Sequence, residues 1–517
     1  MKPSISERRY WTYWPFWALL AAMAAVLPPY VWHENTAGFL QDDGVYLMMA
    51  DFFSPFFHGN SLVTRFMMGR SRFPPALPIL IGLFGGGSRN MHAAHLVVLA
   101  TFFASAVLFY AWARRTLVEK DVAAACLLIY ALLPRTLIYV AEIWSEYLFM
   151  AFTFAAFVLM DKAGREREPP RELLCACALT VGLSMLTRTI GVALLAAFCV
   201  FLIVNAVKRK YLYVLLAAAL PAFWQAVKIL GHYHGGYTED LDRYLSPGGI
   251  ARLILMGAPH RAHLLLQSWN AQLSVTAGSS WPLQALAGAL LLLALLGLGR
   301  RLAHRADDSA YALFYVAIIL VWPHPAENIR FLYPLMPLAL VYLFDGLRLL
   351  IRETRTRPRM LANAGAVAAM LLLIYPNTLF VLHRFLTPLP GHFPDDYRHT
   401  RQFLRGGLNQ AYYEAEQMND LMLSMKRIRK HVASDQCVYS AHPVSTMLYS
   451  QRMSILMPPN ATIDKLTDCR YLFVMNMRAF YPPDYPLRRV DISRLKRLDV
   501  WRDRYGHAQA FLFKIRH

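Results

Sequence analysis

Two adjacent carboxylates are the side chains in this sequence best suited to chemistry. Asp42 and Asp43 stand in the run Gln41-Asp42-Asp43-Gly44-Val45-Tyr46, shortly after the first long hydrophobic segment. Carboxylates this close raise each other's proton affinity, so one of them can act as general base toward a hydroxyl or amine near neutral pH. The pair could instead ligate a divalent cation such as Mg²⁺ or Mn²⁺ through oxygen. A solvated turn is a third interpretation, because Asp-Asp-Gly is typical of turns.

Three arginines follow in the same segment and suit an anionic ligand. Arg65, Arg70 and Arg72 precede the dipeptide Pro74-Pro75. A guanidinium group binds phosphate through two parallel hydrogen bonds, so these side chains are candidates for binding a substrate phosphate at the membrane surface. Anchoring to lipid headgroups, or pairing with Asp42 or Asp43, would account for them as well.

Further charged residues stand at the ends of apolar segments. Glu142 and Glu146 are four positions apart, a spacing that predicts a shared helix face. Arg188 and Arg330 each adjoin an apolar segment, away from the main clusters of basic residues. Ionisable groups in such places are functional candidates. The alternatives are a favourable charge at a helix N-terminus for the glutamates and snorkelling to lipid phosphate for the arginines.

The elements that must position these groups are apolar helices. Hydrophobic residues make up 56% of the 517 positions, whereas soluble globular chains contain about 45–50%. They recur in segments of roughly 18–22 residues, the length that crosses a hydrocarbon core of about 30 Å. The sequence therefore predicts a polytopic α-helical membrane protein with about eleven transmembrane helices. The predicted spans are residues 14–32, 92–112, 121–139, 145–160, 172–187, 190–206, 211–230, 281–299, 309–323, 331–347 and 361–381.

The basic residues indicate the topology. The net charge of +20 comes largely from Lys and Arg clusters in alternate short loops, which favours topology over nucleic-acid binding as their explanation. These clusters are at residues 2–9, 114–120, 162–171, 208–210, 300–305 and 348–359. Because basic loops stay in the cytoplasm, the N-terminus is predicted to be cytoplasmic. Three long segments then face outside: residues 33–91, residues 231–280, and the C-terminal residues from about 383.

Two domains are expected from this pattern. Residues 1–382 are predicted to form the transmembrane module. In its first outer segment, residues 46–53 are predicted to be an amphipathic surface helix, and residues 79–84 are too short to span and are expected to lie in the membrane interface. Residues 383–517 are predicted to form a small extracytoplasmic α/β domain.

The C-terminal domain is predicted to contain one helix and three strands. The helix extends from Ala411 to His431, and the strands lie at residues 436–440, 470–474 and 508–513. Cys437 and Cys469 belong to this domain. An outer compartment permits a disulfide between them, and two buried free thiols are the alternative.

Taken in order, the motifs resemble those of a known superfamily. They are Asp42-Asp43-x-x-Tyr46, Arg72-Phe73-Pro74-Pro75, Leu133-Pro134, Ser145-Glu146, Leu186-Thr187-Arg188 and the run from Arg330 to Pro337, over about residues 10–347. This order resembles the GT-C superfamily of integral-membrane glycosyltransferases, above all the branch of protein O-mannosyltransferases and lipid A aminoarabinose transferases. The resemblance implies a GT-C-like fold, a sugar donor carried on polyprenyl phosphate, and inversion at the anomeric carbon.

The resemblance also implies roles for individual residues. It makes Asp42 the favoured base with Asp43 beside it, although members often carry Asp-Glu here, so which carboxylate takes the proton stays open. Ser145-Glu146 matches an acidic position of the family to which the resemblance gives no definite role, and Arg330 matches a position suited to binding the lipid phosphate. The residues predicted to be catalytic are Asp42, Asp43 and Glu146, and those predicted to bind the lipid phosphate or donor are Arg65, Arg70, Arg72, Arg188 and Arg330.

The predicted function is transfer of a sugar from polyprenyl phosphate to an acceptor at the outer face of the membrane. The expected partners are the lipid-linked donor, membrane lipid, and a glycan, lipid or protein acceptor, without nucleic acid. The expected location is the inner membrane of a bacterium, with the C-terminal domain periplasmic or extracellular. A transporter or flippase of a lipid-linked substrate is the alternative, although such proteins usually carry mid-helix charges and inverted repeats. A non-catalytic scaffold is the third interpretation.

Overall fold

The computed structural model describes most of the chain. The described residues are 13–32, 42–56, 61–70, 73–117, 119–233, 247–276, 278–322, 327–351, 356–386, 420–457, 466–475, 494–503 and 505–516. They divide into two compact units. The first unit consists of Met1–Val31, Arg72–Leu77 and Val98–Leu386, and the second of Trp32–Ser71, Pro78–Val97 and Thr387–His517.

Helices dominate the described residues. Their bounds are α1 Trp14–Trp32, α2 Asp42–Phe53, α3 Ser61–Arg70, α4 Ala76–Leu83, α5 Met91–Thr116, α6 Lys120–Leu132, α7 Pro134–Val140, α8 Glu146–Gly164, α9 Arg171–Thr187, α10 Val192–Val204, α11 Lys210–Leu230, α12 Pro247–Gln272, α13 Trp281–Ala303, α14 Asp307–Val321, α15 Asn328–Leu332, α16 Met336–Leu350, α17 Thr356–Leu386, α18 420–428 and α19 Pro443–Ser450. Short 3₁₀ turns, Thr189–Gly191 and Tyr333–Leu335, precede α10 and α16.

Six spans among the described residues are long and apolar enough to cross a membrane, or seven if the bent pair α6–α7 is one span. The six are Met91–Thr116, Glu146–Gly164, Lys210–Leu230, Trp281–Ala303, Asn328–Leu350 and Pro358–Leu382. Two shorter apolar helices lie at Trp14–Pro29 and Thr189–Val204. The prediction of a mostly helical chain with many apolar helices is therefore confirmed. The predicted count of eleven spans is not confirmed.

A proline explains the bend between α6 and α7. The two helices meet at 62°, at Leu133-Pro134. A residue that precedes proline avoids the α region, and Leu133 has φ −55° and ψ 130°. Pro134 then begins α7 as its first residue, where its missing N–H costs nothing. The single span predicted over residues 121–139 is thus two helices joined at a bend.

Glycines let two helices of the first unit approach closely. α13 and α16 pack against each other. A Cβ at Gly297 would overlap the carbonyl oxygen of Tyr342, and a Cβ at Gly346 would overlap that of Leu293. Small residues at such crossings permit backbone contact between membrane helices.

An ion pair joins α13 to the helix that follows it. Arg301 of α13 donates two hydrogen bonds, of 2.7 and 2.5 Å, to the carboxylate of Asp308 in α14.

The second predicted outer segment contains a long helix rather than only a loop. α12 runs through Pro247–Gln272, and it packs against α14 and α15. Arg261 of α12 donates to the carbonyl oxygens of Leu320 and Trp322, at 3.0 and 2.5 Å. A cation that binds the last carbonyls of a helix also interacts favourably with its dipole. This pair of bonds attaches α12 to the C-terminal end of α14.

The second unit contains the helix that carries the acid pair. α2 begins at Asp42, and its residues from Asp43 to Asp51 are buried. The helix predicted over residues 46–53 is therefore present, but it starts earlier and lies inside the unit, so the prediction of a surface helix is wrong. α2 packs against α3 and against α19 of the C-terminal residues. Gly82 of α4 lies against the same helix, so closely that a Cβ added there would stand 2.6 Å from the Ala50 carbonyl oxygen.

A five-stranded mixed sheet lies in the C-terminal part of this unit. Its strands are β1 Cys437–Ser440, β2 Met453–Leu456, β3 Tyr471–Met475, β4 Leu495–Arg502 and β5 Ala508–Ile515, in the order β2-β1-β3-β5-β4. β1 is parallel to both of its neighbours, and β5 is antiparallel to β3 and β4. The three predicted strands correspond to β1, β3 and β5, while β2, β4 and α19 had not been predicted.

The sheet has a disulfide at one end and a buried helix after its first strand. Cys437 and Cys469 are bonded and stand 32 positions apart in the sequence. Every residue of α19 is buried, including Ser445 and Thr446, and the Thr446 hydroxyl lies 2.8 Å from that of Ser440. The helix predicted from Ala411 to His431 is seen at residues 420–428, and residues 411–419 lie outside the described part of the chain.

Candidate functional site

Glu146 occupies the first turn of α8, in the interior of the first unit. The chain turns between Ala141 and Ser145, and α8 then starts at Glu146. A carboxylate in a first turn interacts favourably with the helix dipole. The Glu146 side chain is 0% exposed, so it requires polar partners. Glu142 precedes the helix, so the predicted shared helix face of the two glutamates is wrong, although Glu142 is also buried.

Two arginines from distant parts of the sequence bind this carboxylate. Arg330 donates from Nε to Glu146 Oε1 at 2.5 Å. Arg188 forms an ion pair with the same oxygen through Nη1. Each arginine side chain is 8% exposed. The three residues, named here the arginine cluster, bring two guanidinium groups together around one carboxylate oxygen, inside an apolar helix bundle.

Aromatic rings cover both guanidinium groups. The Arg330 guanidinium carbon is 4.0 Å from the ring centre of Trp144, and that of Arg188 is 5.5 Å from Phe331. A cation over an aromatic face gains about 2 kcal/mol or more when water is excluded. Trp144 lies two positions before Glu146 and Phe331 directly follows Arg330, so these two short segments each supply one charged residue of the cluster and one ring.

The short helix α15 is held from two sides, which places Arg330. The buried Gln272 at the end of α12 donates from Nε2 to the carbonyl oxygen of Ile329 at 2.5 Å. Tyr315 of α14 donates its hydroxyl to the carbonyl oxygen of Phe331 at 2.9 Å. A helix of one turn leaves most of its carbonyl groups without an internal partner. These two side chains bind the carbonyls on either side of Arg330 and so fix its backbone.

A buried hydroxyl network joins α7, α8 and the turn after Arg330. The Tyr147 hydroxyl donates to the Thr136 carbonyl at 2.7 Å, and the Tyr333 hydroxyl donates to that of Tyr147 at 3.2 Å. The Thr136 and Tyr333 hydroxyls are 2.9 Å apart. Each buried bond of this kind contributes about 1 kcal/mol. The network fixes the distance between the helix of Glu146 and the segment of Arg330.

The predicted acid pair opens α2 in the second unit. Asp42 is the first residue of the helix and is partly exposed, and Asp43 is 4% exposed. Further along α2, the Asp51 carboxylate accepts the backbone N–H of Ser88 at 2.9 Å and also the Ser88 hydroxyl. Burial raises the pKa of Asp51 above its usual value of 3.8, while the two bonds from Ser88 oppose that rise. Asp51 thus ties α2 to the turn that precedes α5.

The other predicted phosphate-binding arginines lie in α3 or just after it. Arg65 and Arg70 belong to α3, and the structure describes their backbone positions alone. Arg72 lies outside the described residues. The role of all three in phosphate binding stays a prediction.

The predicted metal ligands do not form a complete set in the described part of the chain. No group of three or more His, Cys, Asp or Glu residues there is arranged to hold a metal ion. Asp42 and Asp43 supply two carboxylates, whereas Ca²⁺ takes about six to eight oxygen ligands and Mg²⁺ takes about six. No step of the proposed reaction is therefore assigned to a metal.

Two residues next to the arginine cluster, Trp144 and Gln272, were not predicted from the sequence. Trp144 immediately precedes Ser145-Glu146, and that adjacency was a usable signal. Gln272 stands in a segment interpreted as a loop, and nothing in the sequence connects it with Ile329, because 57 positions separate the two residues.

Comparison with known proteins gives matches among solved structures alone. No protein-family model and no curated protein matches the chain. The matched structures include membrane glycosyltransferases with the GT-C fold, so the predicted resemblance is confirmed at the level of the fold.

Two of these glycosyltransferases match over nearly the whole chain. A structure of ArnT from Cupriavidus metallidurans bound to undecaprenyl phosphate shares 14% identity, covers 96% of this chain and 97% of its own, and gives a TM-score of 0.52. The apo structure of the same ArnT gives the same values. The Archaeoglobus fulgidus oligosaccharyltransferase in complex with Zn and sulfate also shares 14% identity, with 96% of this chain and 73% of that chain covered and a TM-score of 0.51. Identity this low shows the fold alone.

Proposed function

We propose that this protein is a membrane glycosyltransferase that moves a sugar from a polyprenyl-phosphate donor to an acceptor. The observation that carries the proposal is the arginine cluster, in which Arg188 and Arg330 meet on one buried carboxylate oxygen. Two adjacent guanidinium groups in an apolar bundle suit a phosphate whose lipid chain lies in the membrane. The fold supports this ligand, because ArnT, which shares it, was crystallised with undecaprenyl phosphate.

In this proposal Arg188 and Arg330 stabilise the leaving group. As the bond between the anomeric carbon and the phosphate oxygen breaks, negative charge develops on the phosphate. Preorganised cations in a site that excludes water stabilise such charge without reorganising during the reaction. The rings of Trp144 and Phe331 and the bond from Gln272 keep the cations in place beforehand.

In the transfer step, Glu146 orients the two arginines through its Oε1 and takes no proton from the acceptor. Its Oε1 already accepts from both arginines, an arrangement that favours orientation of the guanidinium groups over proton transfer. The predicted catalytic role of Glu146 is therefore replaced, in the proposal, by control of the geometry of Arg188 and Arg330.

Asp42 or Asp43 supplies the general base. The acceptor hydroxyl or amine attacks the anomeric carbon, the carboxylate takes the acceptor's proton, and the lipid phosphate leaves with the bonding electron pair. A single displacement of this kind inverts the anomeric carbon. Asp42 is the favoured base because it is the more exposed of the two carboxylates, and the buried Asp43 stands beside it.

Several finer features belong to the same proposal. The sugar is a hexose or a pentose, and the acceptor is a glycan, a lipid or a protein. Arg65, Arg70 and Arg72 contribute to donor binding, and residues 1–382 form the catalytic module beside an extracytoplasmic domain of residues 383–517. The protein lies in a bacterial inner membrane with its N-terminus in the cytoplasm, as the distribution of basic residues predicts. A divalent metal is compatible with the acid pair, and the oligosaccharyltransferase of similar fold was crystallised with Zn.

Lipid-phosphate binding tests the arginine cluster. Purified Arg330→Gln should bind undecaprenyl phosphate about 100-fold more weakly than the wild type, since a buried charged bond is worth several kcal/mol. The matched control is Arg165→Gln, which removes an arginine from a half-exposed pair with Asp161 and should bind normally. Equal binding by Arg330→Gln and the control would contradict the proposed phosphate site.

A second experiment tests the transfer reaction itself. Mass spectrometry of envelope glycans from cells with the wild type, with Asp42→Asn, with Asp43→Asn and without the protein should reveal one sugar modification that only the wild type restores in full. Near-normal modification by both aspartate variants would refute the general-base assignment. Movement of a lipid-linked substrate in liposomes, without any sugar transfer, would favour a transporter or flippase.

A further inference from the structure

Three buried oxygen acceptors belong to side chains that contact Arg330, contact its helix α15, or lie in that helix. They are Gln272 Oε1, Asn328 Oδ1 and Glu146 Oε2. The three side chains are 0%, 2% and 0% exposed. None of these oxygens has a hydrogen-bond partner among the residues that the structure describes. Glu146 binds Arg330 through its other carboxylate oxygen, Gln272 donates to the carbonyl oxygen of Ile329, and Asn328 is the first residue of α15, the helix that contains Arg330.

The orientation of the Gln272 amide follows from its partner. Gln272 Nε2 donates to the carbonyl oxygen of Ile329. A carbonyl oxygen accepts but does not donate, so the amide nitrogen must face it. The amide oxygen consequently faces away from Ile329 and is available only as an acceptor. Asn328 adjoins Ile329 in sequence, so both amide side chains lie at the same turn.

Acceptors left unsatisfied at this depth carry a cost. A buried acceptor without a donor costs about 1–3 kcal/mol, and native proteins retain few of them. Three such oxygens on residues that contact Arg330 or its helix therefore require an explanation. A ligand that brings several O–H or N–H donors beside its phosphate would satisfy them together.

A phosphate cannot be that donor by itself. An ionised phosphate presents acceptor oxygens and would be repelled by the oxygens of Gln272, Asn328 and Glu146. The hydroxyl groups of a sugar are donors, and in a sugar phosphate they lie next to the anionic group. The arginines thus match the phosphate of the donor, and the neighbouring oxygens match its sugar.

We propose that Gln272, Asn328 and Glu146 Oε2 form a subsite for the hydroxyl or amino groups of the sugar on the lipid phosphate. This inference rests on the proposed function, and it adds a distinction between two lipids. The donor satisfies both the arginines and the acceptor oxygens, whereas the lipid phosphate left after transfer satisfies only the arginines. The subsite therefore favours binding of the donor over retention of the by-product.

Comparison of two kinds of lipid tests this subsite. The probes are undecaprenyl phosphate and a panel of undecaprenyl-phosphate sugars carrying glucose, mannose, galactose or 4-amino-4-deoxyarabinose. The wild type should bind at least one sugar-bearing lipid more tightly than undecaprenyl phosphate. Asn328→Leu keeps the side-chain size and leaves the bond between Gln272 and Ile329 intact. It should bind the preferred sugar-bearing lipid about tenfold more weakly, since one lost hydrogen bond is worth about 1.4 kcal/mol, and should bind undecaprenyl phosphate within about twofold of the wild type.

Two further variants complete the test. Gln272→Met should weaken the sugar-bearing lipid more than undecaprenyl phosphate, and Gln267→Leu, an exposed glutamine on the same helix, should change neither affinity. Equal losses for both lipids in Asn328→Leu would show a purely structural role and overturn the subsite, as would a wild type that prefers no sugar in the panel. Failure of the proposed function gives a different result, namely normal binding of undecaprenyl phosphate by Arg330→Gln.

Discussion

Removal of the Glu146 charge tests the electrostatics of the arginine cluster most directly. Glu146→Gln preserves the size of a side chain that is 0% exposed, while it takes the shared carboxylate from Arg188 and Arg330. Removing one partner of a buried ion pair typically costs about 3–5 kcal/mol. Coulomb's law gives a similar magnitude, about 4 kcal/mol for unit charges about 4 Å apart at an effective dielectric constant of about 20. We therefore expect Glu146→Gln to lower the free energy of unfolding by about 3–5 kcal/mol.

A double-mutant cycle separates the charge effect from a loss of packing. In Glu146→Gln the two guanidinium groups, each 8% exposed, lose their common counter-charge. Removing one of them as well, in Glu146→Gln with Arg188→Gln, should restore part of the lost stability. The coupling free energy between the two positions should be about 0.5–3 kcal/mol, the range for residues in one ion-pair network.

The assay is denaturant unfolding of the purified protein in detergent, followed by tryptophan fluorescence, with and without undecaprenyl phosphate. Glu168→Gln is the control, because Glu168 pairs with Lys208 where both side chains are almost fully exposed. It should change stability by less than about 1 kcal/mol. Because a phosphate supplies the counter-charge that Glu146→Gln removes, undecaprenyl phosphate should stabilise that variant more than the wild type. If Glu146→Gln unfolds at the same denaturant concentration as the control, the electrostatic reasoning is refuted.

Three other predictions concern parts of the molecule away from the arginine cluster. The double variant Cys437→Ser with Cys469→Ser should lower the free energy of unfolding of the second unit by about 3–4 kcal/mol, because the disulfide closes a loop of 32 residues. A reductant should destabilise the wild type by the same amount and should leave the stability of the double variant unchanged. Gly346→Ala should lower the thermal unfolding temperature far more than Gly365→Ala, since a Cβ at position 346 overlaps the Leu293 carbonyl and one at position 365 meets nothing within 4 Å. Burial raises the pKa of Asp51, so protonation of its carboxyl group stabilises the fold at low pH, and this stabilisation is lost as the pH rises from about 3.8 through the raised pKa. Asp51→Asn should therefore flatten that part of a profile of unfolding free energy measured from about pH 3 to 8. An unchanged profile would contradict the assigned effect of burial.

The helices and the charged candidates could be predicted from the sequence for a simple physical reason. Apolar segments of membrane-spanning length form helices, and this holds whatever their neighbours are. Arg188 and Arg330 were conspicuous because a guanidinium next to an apolar helix is costly without a purpose. Their meeting on Glu146 could not be predicted, since 184 positions separate Glu146 from Arg330 and only tertiary packing joins them.

The environment of Asp42 and Asp43 was harder to predict from the sequence than the positions of the apolar helices. Local propensity favoured a turn at Asp42-Asp43-Gly44 and an amphipathic helix after it, yet the structure has one helix from Asp42 that is buried for most of its length. Part of its packing comes from α19, which follows several hundred residues later and whose apolar and hydroxyl side chains gave no clear helical signal in the sequence. Gln272 was missed for the same reason, because its importance comes from a contact and not from its own sequence neighbourhood.

The packing of α19 against α2 changes how the C-terminal residues should be regarded. A periplasmic or extracellular appendage would be removable, and its loss would leave the acid pair intact. Here the chain after β1 supplies α19, a helix that packs against α2, so a truncation that deletes β1 and α19 would remove part of the cover of that buried helix. Loss of activity in such a truncation would report the collapse of a shared folding unit, and it would carry no information about acceptor recognition by the domain.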